Sequence, residues 1–258
     1  MQKRRDAQIY IISHKPIDYQ REDSLYSPLQ VGFNDKIAEL RDNTGDNISE
    51  WNPLYAECTG TYWIWKNHPD LKYVGQTQYR RRLEFPEDEN FDDIFSRYDV
   101  ITMTPLFFAG TSVQFFYGYC HNPEDMSTAE DIVKTLYPDM TDSWNKYLKT
   151  ESRILYSNGF IMRAEDYDRY CSFLFSVFEE FKKRKGWDTL ENAKEALDAV
   201  RHSVEEDIVR GRRQGTRGIG YQMQVFGFLS ERLWTLWCFH TFPQERIMFK
   251  DYRKFEGV

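Results

Sequence analysis

Three short β-rich runs, separated by stretches of helical periodicity, restrict this chain to an α/β architecture with a mostly parallel sheet. They are Gln8–Ser13 (QIYIIS), Leu71–Thr77 (LKYVGQT) and Tyr98–Met103 (YDVITM). The first is β-rich and apolar and is broken by His14-Lys15-Pro16, as expected of a buried first strand. Residues 18–50 carry Gly32, Gly45 and a cluster of Asp and Asn, and read as loop. Asn52-Pro53 has the form of an N-cap followed by proline at the first helical position. Leu54, Cys58, Tyr62 and Trp65 then recur at helical spacing until Pro69.

The second half is richer in helix. Ser127 and Glu130 have capping-box spacing and open a short helix that ends at Pro138. Arg153–Met162 is strand-like but interrupted by Asn158-Gly159. Glu165–Lys185 is a long amphipathic helix closed by a basic run and Gly186. A charged helix runs to about Val209, and a Gly/Arg-rich loop, Arg210–Gly220, follows. Tyr221–His240 reads as a helix with Val225, Phe228, Leu229, Leu233, Leu236 and Trp237 on its apolar side. With no repeat and no linker, one domain is expected over 1–258, with the sheet in 1–163 and a mainly helical part in 164–258.

Composition excludes several classes. A net charge of −7 argues against a nucleic-acid partner. Aromatic residues make up 17%, which suits stacking on sugars or bases but more often means core packing. The four cysteines form no C-x-x-C pair, and Cys58 and Cys171 fall in helical patterns as buried thiols suited to a reducing compartment. The basic Met1–Asp6 runs into a strand without an apolar h-region, and no run of 18 apolar residues exists, so a cytoplasmic location is expected.

Standard motifs are missing: no P-loop, no G-x-G-x-x-G, no H-E-x-x-H and no G-x-S-x-G. The one Asp-x-Asp, Asp166-Tyr167-Asp168, lies near a helix start, where residues two apart do not share a face and acidic groups suit the dipole. A manganese or magnesium ion stays open as a cofactor, but no strand-end Asp-x-Asp supports one, and no other cofactor is assigned. Glu87, Asp88, Glu89, Asp92 and Asp93 read as a solvated acidic loop.

The informative stretch is DNTGDNISEWNPLYAECTGTYWIWKN, followed by YVGQTQYRRRLEF. With the opening IISHKP, it resembles the bacterial capsular and exopolysaccharide biosynthesis family long catalogued as a domain of unknown function. The likeness rests on Asn47-Ile48-Ser49, Asn52, Tyr55, Glu57, Thr59, Tyr62-Trp63, Trp65-Lys66-Asn67, Tyr73-Val74-Gly75 and Tyr79-Arg80-Arg81. Asn158–Met162 and Gly227–Leu233 extend it over nearly the whole chain. The resemblance implies a GT-A-like glycosyltransferase: a Rossmann-type, mostly parallel sheet flanked by helices, binding a nucleotide sugar at the strands' C-terminal edge. It implies a UDP-sugar donor, with UDP-galactofuranose among the candidates, and a glycan or lipid-linked glycan acceptor. One position departs from the family pattern, since Gln78 stands where relatives carry His, and an amide cannot titrate.

Glycosyl transfer needs cationic groups for the leaving diphosphate and, for inversion, a base for the acceptor hydroxyl. Arg80, Arg81 and Arg82 follow a strand where a metal motif often stands, and strict alternation would put Arg80 and Arg82 on one side. The competing reading is a basic run paired with the acidic 87–93 loop. Glu231, in an aromatic helix beside Arg232, is the candidate base, against a purely structural ion pair. His121 is a second candidate, against a surface loop histidine. The expected donor-binding set is His14, Asp46, Asn47, Gln78, Tyr79, Arg80, Arg82 and Asn158. The Arg210–Arg217 loop could cover the diphosphate or merely connect helices. Trp234, Trp237, Phe239 and Phe242, with Arg246 and Lys250, offer a peripheral membrane contact if they do not simply pack onto the sheet. Two other classes stay open: a sugar- or nucleotide-binding protein without turnover, and a scaffold of a polysaccharide-assembly complex.

Overall fold

The structure is a computed structural model that describes residues 6–17, 25–32, 36–68, 70–214 and 218–255. Eleven strands and ten α-helices follow in chain order among the described residues. The strands are β1 (Ala7–Ser13), β2 (Tyr26–Gln30), β3 (Leu40–Arg41), β4 (Tyr73–Gln78), β5 (Arg81–Arg82), β6 (Val100–Met103), β7 (Leu106–Phe107), β8 (Arg153–Ile154), β9 (Phe160–Arg163), β10 (Ile247–Lys250) and β11 (Arg253–Lys254). The helices are α1 (Asn52–Tyr55), α2 (Cys58–Asn67), α3 (Phe91–Arg97), α4 (Val113–Cys120), α5 (Pro123–Leu136), α6 (Thr141–Trp144), α7 (Ala164–Lys185), α8 (Leu190–Val209), α9 (Ile219–Gln222) and α10 (Val225–Thr241).

The main sheet has the order β10-β6-β9-β4-β1-β2-β3, with β5 and β11 added beside β4. β1 pairs in parallel with β2 and β4, and β6 with β10, whereas β9 is antiparallel to both its neighbours. This is the mostly parallel α/β sheet flanked by helices that the alternating runs predict. Both faces of the sheet are covered: Tyr10, Ile12 and Val74 join the larger apolar cluster, while Ile9, Ile11 and Ile161 join a second one with α3. The longest helix against it is α7, and beside it α10 buries Trp234 fully among Phe160, Tyr170 and Trp237.

Several local expectations change. Asn52 does not cap a single helix. It sits at the start of α1, and the chain breaks at Ala56, whose φ is 49°, before α2 begins. Asn52 Nδ2 spans the break, donating to Ala56 O and Thr59 Oγ1 at 2.8 and 3.0 Å. α5 starts at Pro123, capped by Asn122, instead of at Ser127. The segment 153–162 is two strands parted by a left-handed pair, Ser157 and Asn158. β2 arises in the stretch that reads as loop, and β10 brings the C-terminal part back to the sheet edge beside β6. Trp234, Trp237, Phe239 and Phe242 are all buried, so these aromatics pack the core and are not presented to a membrane surface. Pro69, Met1–Arg5 and residues 215–217 of the Gly/Arg loop lie outside the described residues.

Candidate functional site

A cavity of about 620 Å³ opens at the C-terminal ends of β1, β2 and β4. In an open α/β sheet this edge is where ligands collect, because the strands end there and the connecting loops diverge. Its floor comes from Ile12 and Ser13 at the end of β1 with His14 after it, Val31 and Gly32 after β2, and Gln78 to Arg81 at the end of β4. The Ala56-Glu57 break forms one side, and Gly227, Phe228, Glu231 and Arg232 of α10 form another.

The arginine run is organised by a hairpin. Tyr79 and Arg80 form the turn between β4 and β5, with Gln78 opposite Arg81. The turn resets the strand alternation, so Arg81 joins Arg80 at the cavity and Arg82 turns inward. Arg82 is 4% exposed, donates through Nε to Tyr79 O at 3.1 Å, and lies 3.9 Å over the Phe255 ring. Arg80 stacks over Tyr79, and Arg81 lies over Tyr156 and donates to Ser157 Oγ at 3.3 Å. Neither Arg80 nor Arg81 forms an ion pair among the described residues, including the acidic loop 87–93. Two unneutralised guanidiniums at a strand end are a ready phosphate site.

Two carboxylates stand behind them. Glu231 is 7% exposed; its Oε1 accepts from Ser157 N at 2.9 Å and its Oε2 from Arg232 Nη1 at 2.9 Å. Burial pushes its carboxyl up to about 7, Arg232 opposes that rise, and the Glu57 charge reinforces it. Glu57 is the N-cap position of α2, beside the Ala56 break. Its Oε1 accepts from Asn158 Nδ2 at 3.0 Å and from Gln78 Nε2 at 3.1 Å, and burial raises its carboxyl as well. Gln78 thus acts as a hydrogen-bond donor to a carboxylate, a task that an amide performs as well as an imidazole.

Of the residues that the sequence points to, His14, Gln78, Tyr79, Arg80 and Glu231 line the cavity. Asn158 lies just behind the wall, holding Glu57 and Ser230. Asp46 and Asn47 are exposed and away from it: Asp46 braces α2 through Tyr62 and Asn67, and Asn47 closes its own turn. His121 does line the cavity but is no surface histidine. It is 6% exposed, stacked 3.8 Å from Phe228 and paired with Gln222 Oε1, and burial with the nearby Arg232 charge pushes it down to about 3. It stays neutral near physiological pH.

The donor-binding and catalytic residues expected from the sequence do not include Glu57, Arg81, Arg232 or Tyr156, which also line the cavity. Glu57 belongs to the matched pattern, but helical periodicity reads it as one polar position of a helix. The signal that could have marked it is an acidic residue between Tyr55 and Cys58 in an otherwise apolar stretch. Asp166 and Asp168 make separate contacts, with Arg169 and Trp65 respectively. Among the described residues no three His, Cys, Asp or Glu side chains group to hold a metal ion. The end of β4 carries an amide, a phenol and two guanidiniums, a donor set that does not fit a divalent cation. No helix among the described residues is long and apolar enough to cross a membrane.

Residues 8–197 match the family described as a domain of unknown function, DUF4422. No curated protein matches the chain. Among solved structures, the apo structure of WbbM, a bifunctional glycosyltransferase, matches with a TM-score of 0.70 and 24% sequence identity. The match covers 96% of this chain and 45% of the WbbM chain, so this chain spans less than half of that protein. At this identity the likeness establishes a shared fold.

Proposed function

This chain belongs to the DUF4422 family, and from that footing we propose that it is a glycosyltransferase using a nucleoside-diphosphate sugar, a UDP-sugar in the first instance. The observation that carries the reading is the meeting of Arg80 and Arg81 with Glu57 and Glu231 in one cavity at the C-terminal sheet edge. The fold shared with WbbM supports it. The base and ribose of the donor would lie over Ser13, His14 and Gly32, and the diphosphate at Arg80 and Arg81. The sugar would then face the two carboxylates. Phe116, Tyr221 and Phe228 line the remaining wall and suit an acceptor glycan of the capsular, exopolysaccharide or O-antigen kind.

In this reading the acceptor hydroxyl oxygen attacks the anomeric carbon as the bond from that carbon to the diphosphate oxygen breaks. Glu231 takes the hydroxyl proton, and the electron pair leaves with the diphosphate, whose charge Arg80 and Arg81 stabilise. Attack opposite the leaving group inverts the anomeric centre. A carboxyl at about 7 is suited to this work, being available as a base at neutral pH while remaining basic enough to accept a proton.

The test is calorimetric binding of UDP and of other nucleoside diphosphates, followed by donor turnover with and without exhaustive chelation. Binding with turnover that survives chelation is the expected result. Turnover lost on chelation and restored by manganese or magnesium would overturn arginine-only neutralisation. Binding without turnover would leave a nucleotide-binding module, and no binding would leave a scaffold.

A further inference from the structure

The two carboxylates of the cavity are held by adjacent residues of one turn. Ser157 gives its backbone N–H to Glu231, and Asn158 gives its side-chain amide to Glu57. Both residues are left-handed, with φ of 72° and 47°, although neither is glycine. Such a conformation is strained for a residue with a Cβ and persists only where its surroundings over-determine it. Here they do: Gln76 Nε2 donates to Asn158 O at 3.0 Å, and Asn158 Nδ2 also donates to Ser230 Oγ at 2.7 Å. The turn is therefore pinned from β4 on one side and from α10 on the other.

Building on the glycosyl-transfer reading above, we infer that Glu57 and Glu231 act as one unit, with Glu57 the positioning residue that keeps Glu231 competent as the base. Two amides, from Gln78 and Asn158, converge on Glu57 Oε1 and favour its ionised form. Neither amide titrates, so this support does not vary with pH. The charged groups facing Glu231 are Arg232 of its own helix, Arg81 of β5 and Glu57, with Tyr156 and Cys58 nearby. Glu57 also faces Cys58 and Tyr170 of α7. Of these, Glu57 is the carboxylate whose charge raises Glu231. Burial raises the Glu231 carboxyl first, and the Glu57 charge adds to that rise against Arg232 and Arg81, so without Glu57 the carboxyl would be a weaker base. The Gln78 departure from histidine then has a physical meaning, because an imidazole there would add a proton-dependent positive charge beside Glu57.

The test is a carboxyl carbon NMR titration of glutamate-labelled protein, assigned with Glu231→Gln and run alongside the pH profile of kcat/KM. In Glu57→Gln, the Glu231 midpoint should fall below about 7, while burial still holds it above the ordinary carboxylate range. The acidic limb of the profile should fall with it, while kcat drops. Gln78→Met, which removes one donor and keeps the bulk, should move both in the same direction by less, and it serves if Glu57→Gln does not fold. A Glu231 midpoint unmoved in the folded variants would overturn the pairing. A midpoint that moves in a protein that transfers no sugar would uphold the pairing and reject the glycosyl-transfer reading instead.

Discussion

The backbone N–H of Ser157 donates to Glu231 Oε1 at 2.9 Å, joining two residues 74 positions apart. The contact ties the kink between β8 and β9 to the middle of α10. Through it, a buried carboxylate on a largely apolar helix receives a fixed hydrogen bond on one oxygen while Arg232 meets the other. Such a group is oriented before any ligand arrives, which is what a base needs and what a freely rotating surface glutamate lacks.

Replacing Glu231 by Gln should lower kcat by about 10²- to 10⁴-fold, the usual contribution of a general base. Nucleoside-diphosphate affinity should stay within a few-fold of wild type. Steady-state kinetics and calorimetry on the same preparation check this, and near-normal turnover would remove Glu231 from the mechanism.

The same substitution should change the dependence of stability on pH. The folded-state value of Glu231 is raised to about 7 from 4.5, so between those limits the native state binds more protons than the unfolded one. The stability linked to the neutral carboxyl is complete below the ordinary value and is lost as pH rises through about 7. Wild type should therefore lose more Tm than Glu231→Gln between pH 5 and pH 8. The differential is at most on the order of 3 kcal/mol. Thermal melts of both proteins at the two pH values measure it, and parallel curves would count against the raised value.

Arg81 and Arg82 should separate function from stability. Arg81→Ala removes a half-exposed guanidinium from the cavity and should weaken nucleoside-diphosphate binding about 10- to 100-fold, the equivalent of one or two charge-assisted hydrogen bonds. Its Tm should barely change. Arg82→Ala removes a buried side chain seated on Tyr79 O and Phe255, so its Tm should fall. Equal loss of affinity in the two variants would show that burial does not distinguish them.

Away from the cavity, Arg201 and Asp125 form a buried pair at 2.6 Å, each side chain almost fully enclosed. Arg201 Nε and Nη1 already lack partners. Asp125→Ala should cost about 3–5 kcal/mol, because it strands a buried cation. Urea denaturation measures that loss, and a cost under about 1 kcal/mol would mean that water or rearrangement solvates the arginine.

Gly75 in β4 is a packing probe. A Cβ there would lie 2.6 Å from Ile161 Cγ1 and 3.1 Å from Phe160 O on the neighbouring strand. Gly75→Ala should destabilise by about 1–3 kcal/mol through forced separation of β4 and β9. Since β4 delivers Gln78 and the arginine turn, donor affinity should fall with it. Unchanged stability and affinity would show that the strands have slack.

Local signals along the chain determined the helices and strands with a strong period: β1, β4, β6, α7 and α8 lie within a few residues of where apolar spacing and the Gly186 stop put them. These are short-range effects of side-chain periodicity and capping, which neighbouring residues largely settle among themselves. Glu231 was legible for a similar reason, as a carboxylate on an otherwise apolar helix face. The break at Ala56, the left-handed pair at Ser157-Asn158 and the turn that exchanges Arg82 for Arg81 were not legible. Each is decided by contacts between distant segments: α10 packing at Gly227 against Ala56, Glu231 and Glu57 drawing on one kink, and β11 pairing with β5. Local propensity opposes the first two, since non-glycine residues resist positive φ, and only the tertiary hydrogen bonds and close packing offset that cost. For that reason Glu57, an unremarkable helix residue in the sequence, becomes one of two carboxylates that line the cavity of the folded chain.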